Sequence, residues 1–219
     1  MPRDLPTPPP ERLFLPGPAG RLDATFELPA GAPRGAVLHL HPHPLGGGTR
    51  QNNVVRHGAL GSLEAGCAAV RFDFRGVGQS EGRHDEGRGE VEDAAAVLQW
   101  LRLRVPGVPS CVWGFSFGAR VGAELCLGNG TRVAGYMGVA WPTALYIWPQ
   151  SGPRQFWPAR MAFLAGDRDD FVDLSQLRAI ARERGATLVE VPGADHFFSG
   201  RLDAVRAFTA DTLRSWLPA

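Results

Sequence analysis

SCVWGFSFG, residues 110–118, joins a short apolar run to a serine that has a glycine two positions away on either side. The run Ser110–Gly114 has the length and apolar character of a buried strand, and Phe117–Leu127 has helical spacing. G-x-S-x-G between a strand and a helix is typical of a nucleophile elbow, a turn so tight that both flanking positions must be small. The stretch therefore predicts that Ser116 is held clear of the sheet as a nucleophile.

Outward from this turn, short apolar runs alternate with longer amphipathic segments. In Gly89–Leu103, apolar residues recur at positions 91, 94, 95, 98 and 101, which is the spacing of one helix face. Strands that alternate with helices indicate βαβ units, so we expect an α/β fold, a mostly parallel sheet with helices on both faces. The other predicted strands are Ala36–His41, Ala68–Phe74, Val133–Ala140, Arg160–Ala165 and Thr187–Val191, and the other predicted helices are Leu174–Arg184 and Leu202–Leu217.

The ends of the chain suggest a simple domain organisation. Five prolines stand among the first ten residues, which predicts a flexible proline-rich N-terminus over residues 1–11 and a single domain over 12–219. Within that domain, Arg12–Leu15 and Ala24–Leu28 are candidates for antiparallel edge strands. The sequence has neither the apolar core of a signal peptide nor a run near the roughly 18 apolar residues of a membrane span. We therefore expect a cytoplasmic protein without a membrane partner.

The composition excludes several chemistries. All 23 basic residues are arginine, so the chain's own residues cannot form a phosphate loop with its lysine, a lysine Schiff base or a Ser–Lys dyad. A net charge of +1 argues against a general nucleic-acid partner. The three cysteines, Cys67, Cys111 and Cys126, stand in apolar stretches and predict buried free thiols in a reducing compartment. We expect no cofactor.

Two further patterns suggest other kinds of site. His39, His41 and His43 alternate as metal ligands on one strand face would, but two prolines interrupt that strand, so no metal site is predicted. Gly76-Val77-Gly78 resembles the start of a dinucleotide fingerprint, but the third glycine falls one position late, at Gly82. A tight turn that needs glycine dihedral angles is the preferred interpretation of this pattern.

A serine nucleophile needs a base and an acid that orients the base. Of six histidines, only His196 follows Ser116, directly after the predicted strand Thr187–Val191. The loop after the preceding predicted strand offers Asp167, Asp169 and Asp170 as acids, and spacing alone leaves the choice among them open.

The chain resembles the α/β-hydrolase superfamily, in particular a small, lidless bacterial branch of serine hydrolases, over nearly everything after about residue 25. The resemblance implies an order of serine, acid and histidine along the chain. It also implies an acid turn G-x-x-D-x-x-V, which maps onto Gly166, Asp169 and Val172 and favours Asp169. The motifs that carry the resemblance are HPHPLGGG at 41–48, RFDFRGVGQSEG at 71–82, GFSFG at 114–118 and GADHFFSGRL at 193–202.

An oxyanion hole requires two backbone N–H donors, one of them from the residue after the nucleophile, Phe117. The other is expected from the loop after the strand Ala36–His41. Proline has no N–H, so Pro42 and Pro44 are excluded, and His43 and Leu45 both remain as candidates.

The segment between the predicted strands that end at Ala140 and begin at Arg160 is too short for the long helical lid that many lipases place there. It is rich in proline and in aromatic residues, which suits an apolar substrate wall. The candidates for this wall are Trp141, Tyr146 and Trp148, with Trp157 in the same segment.

Together these features predict a serine hydrolase, a carboxylesterase that acts on small soluble esters through Ser116, His196 and Asp169. A thioesterase or a peptidase would use the same triad and is the first alternative. A non-catalytic binding protein on the same fold is the second. The sequence leaves the natural substrate and the oligomeric state open.

Overall fold

A computed structural model describes residues 8–127, 131–149 and 158–217. The strands are β1 (Glu11–Gly17), β2 (Gly20–Glu27), β3 (Gly35–Leu40), β4 (Cys67–Phe72), β5 (Ser110–Phe115), β6 (Gly135–Val139), β7 (Met161–Gly166) and β8 (Thr187–Val191). The helices are α1 (Asn53–Glu64), α2 (Arg88–Arg104), α3 (Phe117–Leu127), α4 (Leu174–Arg184) and α5 (Leu202–Trp216).

The strands form one sheet in the order β1-β2-β4-β3-β5-β6-β7-β8. Strands β3 to β8 run parallel, while β1 pairs antiparallel with β2 and β2 antiparallel with β4. This confirms the predicted α/β class and its mostly parallel sheet. Of the two expected edge strands, only the segment Arg12–Leu15, within β1, lies at an edge, because Ala24–Leu28 falls mostly in β2, between β1 and β4.

The central strands are covered on both faces. Every residue of β3, β4, β5, β6 and β7 is buried, as expected for parallel strands between helical layers. Neighbouring residues of β5 show the two layers. Trp113 packs against Gly58 of α1 and donates its indole N–H to Thr209 Oγ1 of α5 at 3.0 Å. Val112 points to the opposite face and packs against Gly122 of α3.

Helix α1 was not predicted from the sequence. Its N-cap is Asn52, whose side chain accepts a hydrogen bond from the Val54 N–H at 2.9 Å. Gly58 and Gly61 lower the intrinsic helix propensity and hide the periodicity. The fold requires them, because a Cβ at Gly58 would lie 2.6 Å from the Trp113 ring and one at Gly61 would lie 2.4 Å from the Arg206 carbonyl oxygen.

The connection between β6 and β7 spans residues 140–160. Its described parts, 140–149 and 158–160, contain neither helix nor strand. Residues 1–7 lie outside the described residues, so the proposed boundary of the N-terminal segment stays a prediction. Trp157, a candidate for the substrate wall, also lies outside the described residues. None of the helices in the described ranges is long and apolar enough to cross a membrane.

The parallel arrangement brings four loops to one edge of the sheet. The carboxyl ends of β3, β5, β7 and β8 point the same way, and the residues that follow them include His43, Ser116, Asp169 and His196. Open α/β sheets bind their ligands at this edge.

Candidate active site

Ser116 is the single residue between β5 and α3. Its φ is 55°, in the left-handed region, a conformation that costs a non-glycine residue roughly 1–3 kcal/mol. The Ser116 N–H donates to the Val139 carbonyl oxygen at 2.9 Å, and its own carbonyl oxygen accepts from the Ala119 N–H at 2.8 Å. These bonds hold the strained residue in place.

The glycines on either side allow this turn. A Cβ at Gly114 would lie 2.3 Å from the Gly118 carbonyl oxygen. A Cβ at Gly118 would lie 2.4 Å from the Leu40 carbonyl oxygen and 2.5 Å from that of His41, at the end of β3. The spacing that singled out Ser116 in the sequence therefore has a direct steric cause, since main chain approaches both positions too closely for any side chain.

His196 joins Ser116 to Asp169. Its Nε2 is 2.9 Å from Ser116 Oγ, and its Nδ1 is 2.9 Å and 2.8 Å from the two carboxylate oxygens of Asp169. A carboxylate accepts only, so Nδ1 carries the proton and Nε2 is free to accept from the serine hydroxyl. The Asp169 side chain is completely buried, and the rings of Phe115 and Phe171 lie 5.2 Å and 4.7 Å from the imidazole. The hydrogen bonds between Asp169 and His196 are therefore shielded from water, while Ser116 faces the cleft.

The structure distinguishes the three acids of the loop after β7. Only Asp169 contacts His196, and one of its oxygens also accepts from the Phe171 N–H at 2.9 Å. Asp167 is exposed and accepts from the Gly193 N–H at 2.6 Å, which ties its loop to the loop after β8. Asp170 is exposed. The geometry thus brings Asp169 into the site and leaves the other two carboxylates outside it.

The two loops also supply backbone donors next to Ser116. Within the described residues, the N–H groups of Phe117 and His43 donate to no protein acceptor, and both residues line the cleft that contains Ser116. The Leu45 N–H instead donates to His43 Nδ1 at 3.2 Å, and the Leu45 side chain points to solvent. Of the two open candidates for the second donor, this arrangement favours His43.

His41 holds the loop that carries His43. Its Nδ1–H donates to the Pro42 carbonyl oxygen at 2.7 Å, and its Nε2 accepts from the Phe74 N–H at 3.0 Å. Complete burial lowers the pKa of His41 to about 4, so the ring stays neutral and keeps both bonds near neutral pH. A Cβ at Gly48 would lie 2.0 Å from the Pro42 carbonyl oxygen, so this loop folds back on itself closely.

The cleft above Ser116 has a volume of about 200 Å³. Its apolar walls come from Leu145, Tyr146, Phe171 and Phe197, and Gly46, Gly47 and Gly48 also line it. Leu145 and Phe197 are more than half exposed, so the mouth of the cleft is an apolar rim.

The structure brings Tyr146 into the cleft but not the two tryptophans expected beside it. Trp141 is fully buried, Trp148 is 5% exposed, and their rings pack together at 5.2 Å. Trp148 also packs edge-on against Phe163 of β7. The large indoles gain more from burial in the core than from an open cleft, and this corrects their assignment to the substrate wall.

Phe171 and Phe197 line the cleft, although no periodicity in the sequence singles them out. A positional signal was available, since Phe171 stands two residues after Asp169 and Phe197 directly follows His196. The loops that bring Asp169 and His196 together therefore also bring Phe171 and Phe197 to the cleft.

The alternating histidines do not form a ligand set. His39 Nε2–H donates to Ser62 Oγ at 3.0 Å, both ring nitrogens of His41 are occupied, and His43 lies in the cleft. Across the described residues, no three or more histidine, cysteine, aspartate or glutamate side chains are grouped to hold a metal ion.

The glycine pattern at 76–78 forms a turn. Gly76 and Gly78 have φ values of 74° and 58°, which only glycine adopts readily. The next helix, α2, begins ten residues after Gly78, at Arg88, so no helix N-terminus opens directly onto this turn as a dinucleotide site requires.

The cysteines lack the features of reactive nucleophiles. Cys67, Cys111 and Cys126 are free and buried. Burial raises the pKa of Cys67 to about 11 and that of Cys111 to about 12, so both remain protonated thiols near neutral pH.

The chain is similar to a family model, to a curated relative and to solved structures of serine hydrolases. Residues 55–145 match the family model of the alpha/beta hydrolase fold. The uncharacterized protein RP471 of Rickettsia prowazekii is 30% identical over 198 residues, which cover 85% of this chain and 82% of that protein. The crystal structure of XC6422 from Xanthomonas campestris, an α/β serine hydrolase without a lid, is 32% identical, with a TM-score of 0.87 and coverage of 98% of this chain and 99% of that one. An α/β serine hydrolase homologue from Coxiella burnetii is 34% identical, with a TM-score of 0.80 and coverage of 93% and 97%. The chain belongs to the α/β hydrolase superfamily.

Proposed function

We propose that the protein is a carboxylesterase for small, water-soluble esters, with Ser116, His196 and Asp169 as its catalytic triad. The observation that carries the proposal is the unbroken chain of hydrogen bonds from the buried Asp169 through His196 to Ser116 Oγ, each 2.8–2.9 Å long, at an apolar cleft. The serine hydrolases among its structural relatives support the same class of chemistry.

In the first step, Ser116 Oγ attacks the ester carbonyl carbon while His196 Nε2 takes the hydroxyl proton. The carbonyl π bond becomes a lone pair on oxygen, and the resulting oxyanion is stabilised by the N–H groups of Phe117 and His43. Asp169 stabilises the imidazolium and keeps the ring in the productive orientation.

In the second step, the oxyanion re-forms the carbonyl, the alcohol leaves with the proton from His196, and the acyl group stays on Ser116. A water molecule then gives a proton to His196 and attacks the acyl carbon. Collapse of this second intermediate returns the proton to Ser116 Oγ and releases the acid.

The size of the cleft favours a short substrate. Its volume of about 200 Å³ is below the roughly 300–1,000 Å³ typical of sites for drug-sized ligands. Phe171 and Phe197 present apolar surface next to His196, which suits a short acyl chain. The three free, buried thiols are consistent with a cytoplasmic location, which we propose together with a small-molecule ester as substrate.

The test is hydrolysis of 4-nitrophenyl butanoate by the parent protein and by Ser116→Ala. Removal of the nucleophile should lower kcat by up to roughly 10⁶-fold, as in other serine hydrolases. Ser215→Ala, which changes an exposed serine of α5, is the matched control and should retain full turnover. A fluorophosphonate probe should label Ser116 in the parent protein, as seen by peptide mass spectrometry.

Two results would contradict the proposal. Near-parental turnover by Ser116→Ala would rule out the proposed triad. Absence of fluorophosphonate labelling at Ser116 would favour a non-catalytic binding protein. A matched butanoyl series of ester, thioester and anilide should give the highest kcat/KM for the ester. A preference for the thioester or the anilide would keep the triad and overturn the assignment as a carboxylesterase.

A further inference from the structure

A second groove, of about 390 Å³, adjoins the catalytic cleft. The two share His43, Phe117 and Tyr146 as a common wall. Because His43 and Phe117 also carry the two backbone N–H groups next to Ser116, the second groove begins beside the position of the ester carbonyl in the proposed mechanism. His84 and Arg120 form its polar side.

Arg120 is held rigidly at this groove. Its guanidinium lies over the Tyr146 ring, 4.7 Å from the centroid, and packs against Gly87 on α2's N-terminal side. Its Nε donates to Glu124 at 2.7 Å and its Nη1 to the Glu86 carbonyl oxygen at 3.2 Å. Nη2 donates to no acceptor among the described residues, so one edge of a fixed cation is left without a protein partner.

Two imidazoles lie beside it, with ring centroids 5.0 Å apart. His43 Nδ1 accepts from the Leu45 N–H, so Nε2 carries the proton and is a donor. His84 Nδ1–H donates to the fully buried carboxylate of Glu90 at 2.7 Å, which fixes that ring. Neither Nε2 atom has a hydrogen-bond partner within the described ranges.

Acidic groups also surround this groove, but most of them are already occupied. Glu124 pairs with Arg120, and Glu90 accepts from His84 and from the N–H groups of Asp85 and Gly87 at 3.0 Å and 2.8 Å. Glu86 also lines the groove, and it is exposed, so water screens the charge of its side chain. Arg120 also stands in the first turn of α3, where the helix dipole adds positive potential.

We propose that this groove binds a carboxylate carried by the substrate, so that the enzyme prefers esters with a negative charge near the reacting carbonyl. Arg120 Nη2 and His43 Nε2–H are the donors, and Tyr146 and Phe117 contact the bonds that link the carboxylate to the ester. This inference rests on the proposed ester hydrolysis and adds a preference for one class of ester.

The test compares two pairs of esters that differ in charge at similar length. Mono-4-nitrophenyl glutarate against 4-nitrophenyl pentanoate places the carboxylate on the acyl side. 4-Butanoyloxybenzoate against its methyl ester places it on the alcohol side. The parent protein should prefer the anionic member of one pair by about 10- to 100-fold in kcat/KM, the range expected for hydrogen bonds to a charged group.

Arg120→Gln removes the cation and keeps an amide donor. It should reduce the anionic-to-neutral ratio of kcat/KM at least tenfold for the preferred pair. The control is Arg178→Gln on α4, an exposed arginine paired with Glu190, which should leave the ratio unchanged. Binding of glutarate to Ser116→Ala, measured by calorimetry, gives a readout that needs no turnover and should be lost in Ser116→Ala/Arg120→Gln.

The outcomes separate this proposal from the assigned function. Ser116-dependent hydrolysis with equal rates for charged and neutral members of both pairs would overturn the carboxylate groove and leave the esterase assignment intact. An equal fall of both rates in Arg120→Gln would show that Arg120 only supports the fold. Binding of glutarate to Ser116→Ala that survives loss of Arg120 would also overturn the proposal, whatever the activity.

Discussion

Asp169→Asn is a direct test of the proposed triad. The substitution changes which ring nitrogen of His196 carries the proton, and it leaves the size and shape of the side chain almost unchanged. The carboxylate accepts from His196 Nδ1–H through both oxygens, at 2.9 Å and 2.8 Å, and from the Phe171 N–H at 2.9 Å. An asparagine keeps one oxygen for Phe171 but turns its amide group toward the imidazole. The ring then prefers the tautomer with the proton on Nε2, which cannot accept from Ser116.

The expected loss follows from this change of tautomer. In the serine proteases the same substitution lowers kcat by about 10⁴-fold, which is about 5 kcal/mol of transition-state stabilisation at 1.36 kcal/mol per factor of ten. Asp169 is completely buried here, so solvent cannot replace the lost negative charge, and we expect a loss of that order. The assay is kcat/KM for 4-nitrophenyl butanoate, with the folded fraction checked by circular dichroism.

Asp167→Asn and Asp170→Asn are the matched controls, because each removes one negative charge from the same loop. The Asp167 oxygen that accepts from the Gly193 N–H is available in asparagine as well, so both controls should stay within about threefold of the parent. A loss of about 10⁴-fold in either control would move the acid, and near-parental activity of Asp169→Asn would refute the tautomer argument.

Two further predictions concern stability. Gly118→Ala would place a Cβ 2.4 Å from the Leu40 carbonyl oxygen, so the free energy of unfolding in urea should fall by roughly 1–3 kcal/mol, whereas Gly46→Ala, whose nearest neighbour is 3.9 Å away, should change it by about 0.5 kcal/mol or less. Equal stability of the two variants would contradict the steric account of the elbow. The pKa of His41 falls from 6.5 in the unfolded chain to about 4 in the fold, so the unfolded chain binds the proton at higher pH. Its contribution to stability is complete above pH 6.5 and falls as the pH drops toward 4, by up to about 3 kcal/mol, and His41→Gln should show a weaker dependence in urea titrations at several pH values. A flat profile of the parent protein across that range would contradict the burial argument.

The fold class and the tight strand-to-helix turn at Ser116 could be predicted because their signals are local. Strand length and helix spacing predict the alternating layers, and the turn at Ser116 demands glycines at fixed positions. Helix α1 was not predicted, because the contacts that determine its residues are distant in sequence. Gly58 and Gly61 serve contacts with Trp113 and α5, which are distant in sequence, and they weaken the local helical pattern.

The finer features of the site depend on three-dimensional placement. Asp167 and Asp169 are both carboxylates of one loop, and only the path of the chain after β7 decides which faces His196. Likewise Tyr146 and Trp148 stand two residues apart in an irregular segment, where no periodicity says which side chain turns toward the core. In a helix or a strand the regular backbone determines the direction of each side chain, so residue spacing is informative. This segment is neither helix nor strand, so spacing does not predict where its side chains point.

The close contact between Gly118 and the last carbonyl groups of β3 has a consequence for how the site responds to substrate. Ser116 follows β5 and His43 follows β3, and these strands are hydrogen-bonded neighbours in the sheet. Ser116 and the backbone N–H groups of Phe117 and His43 are therefore parts of one frame that is assembled when the core folds. Under the proposed mechanism, little reorganisation is left for the moment of reaction, so substrate entry requires no conformational gating at this frame.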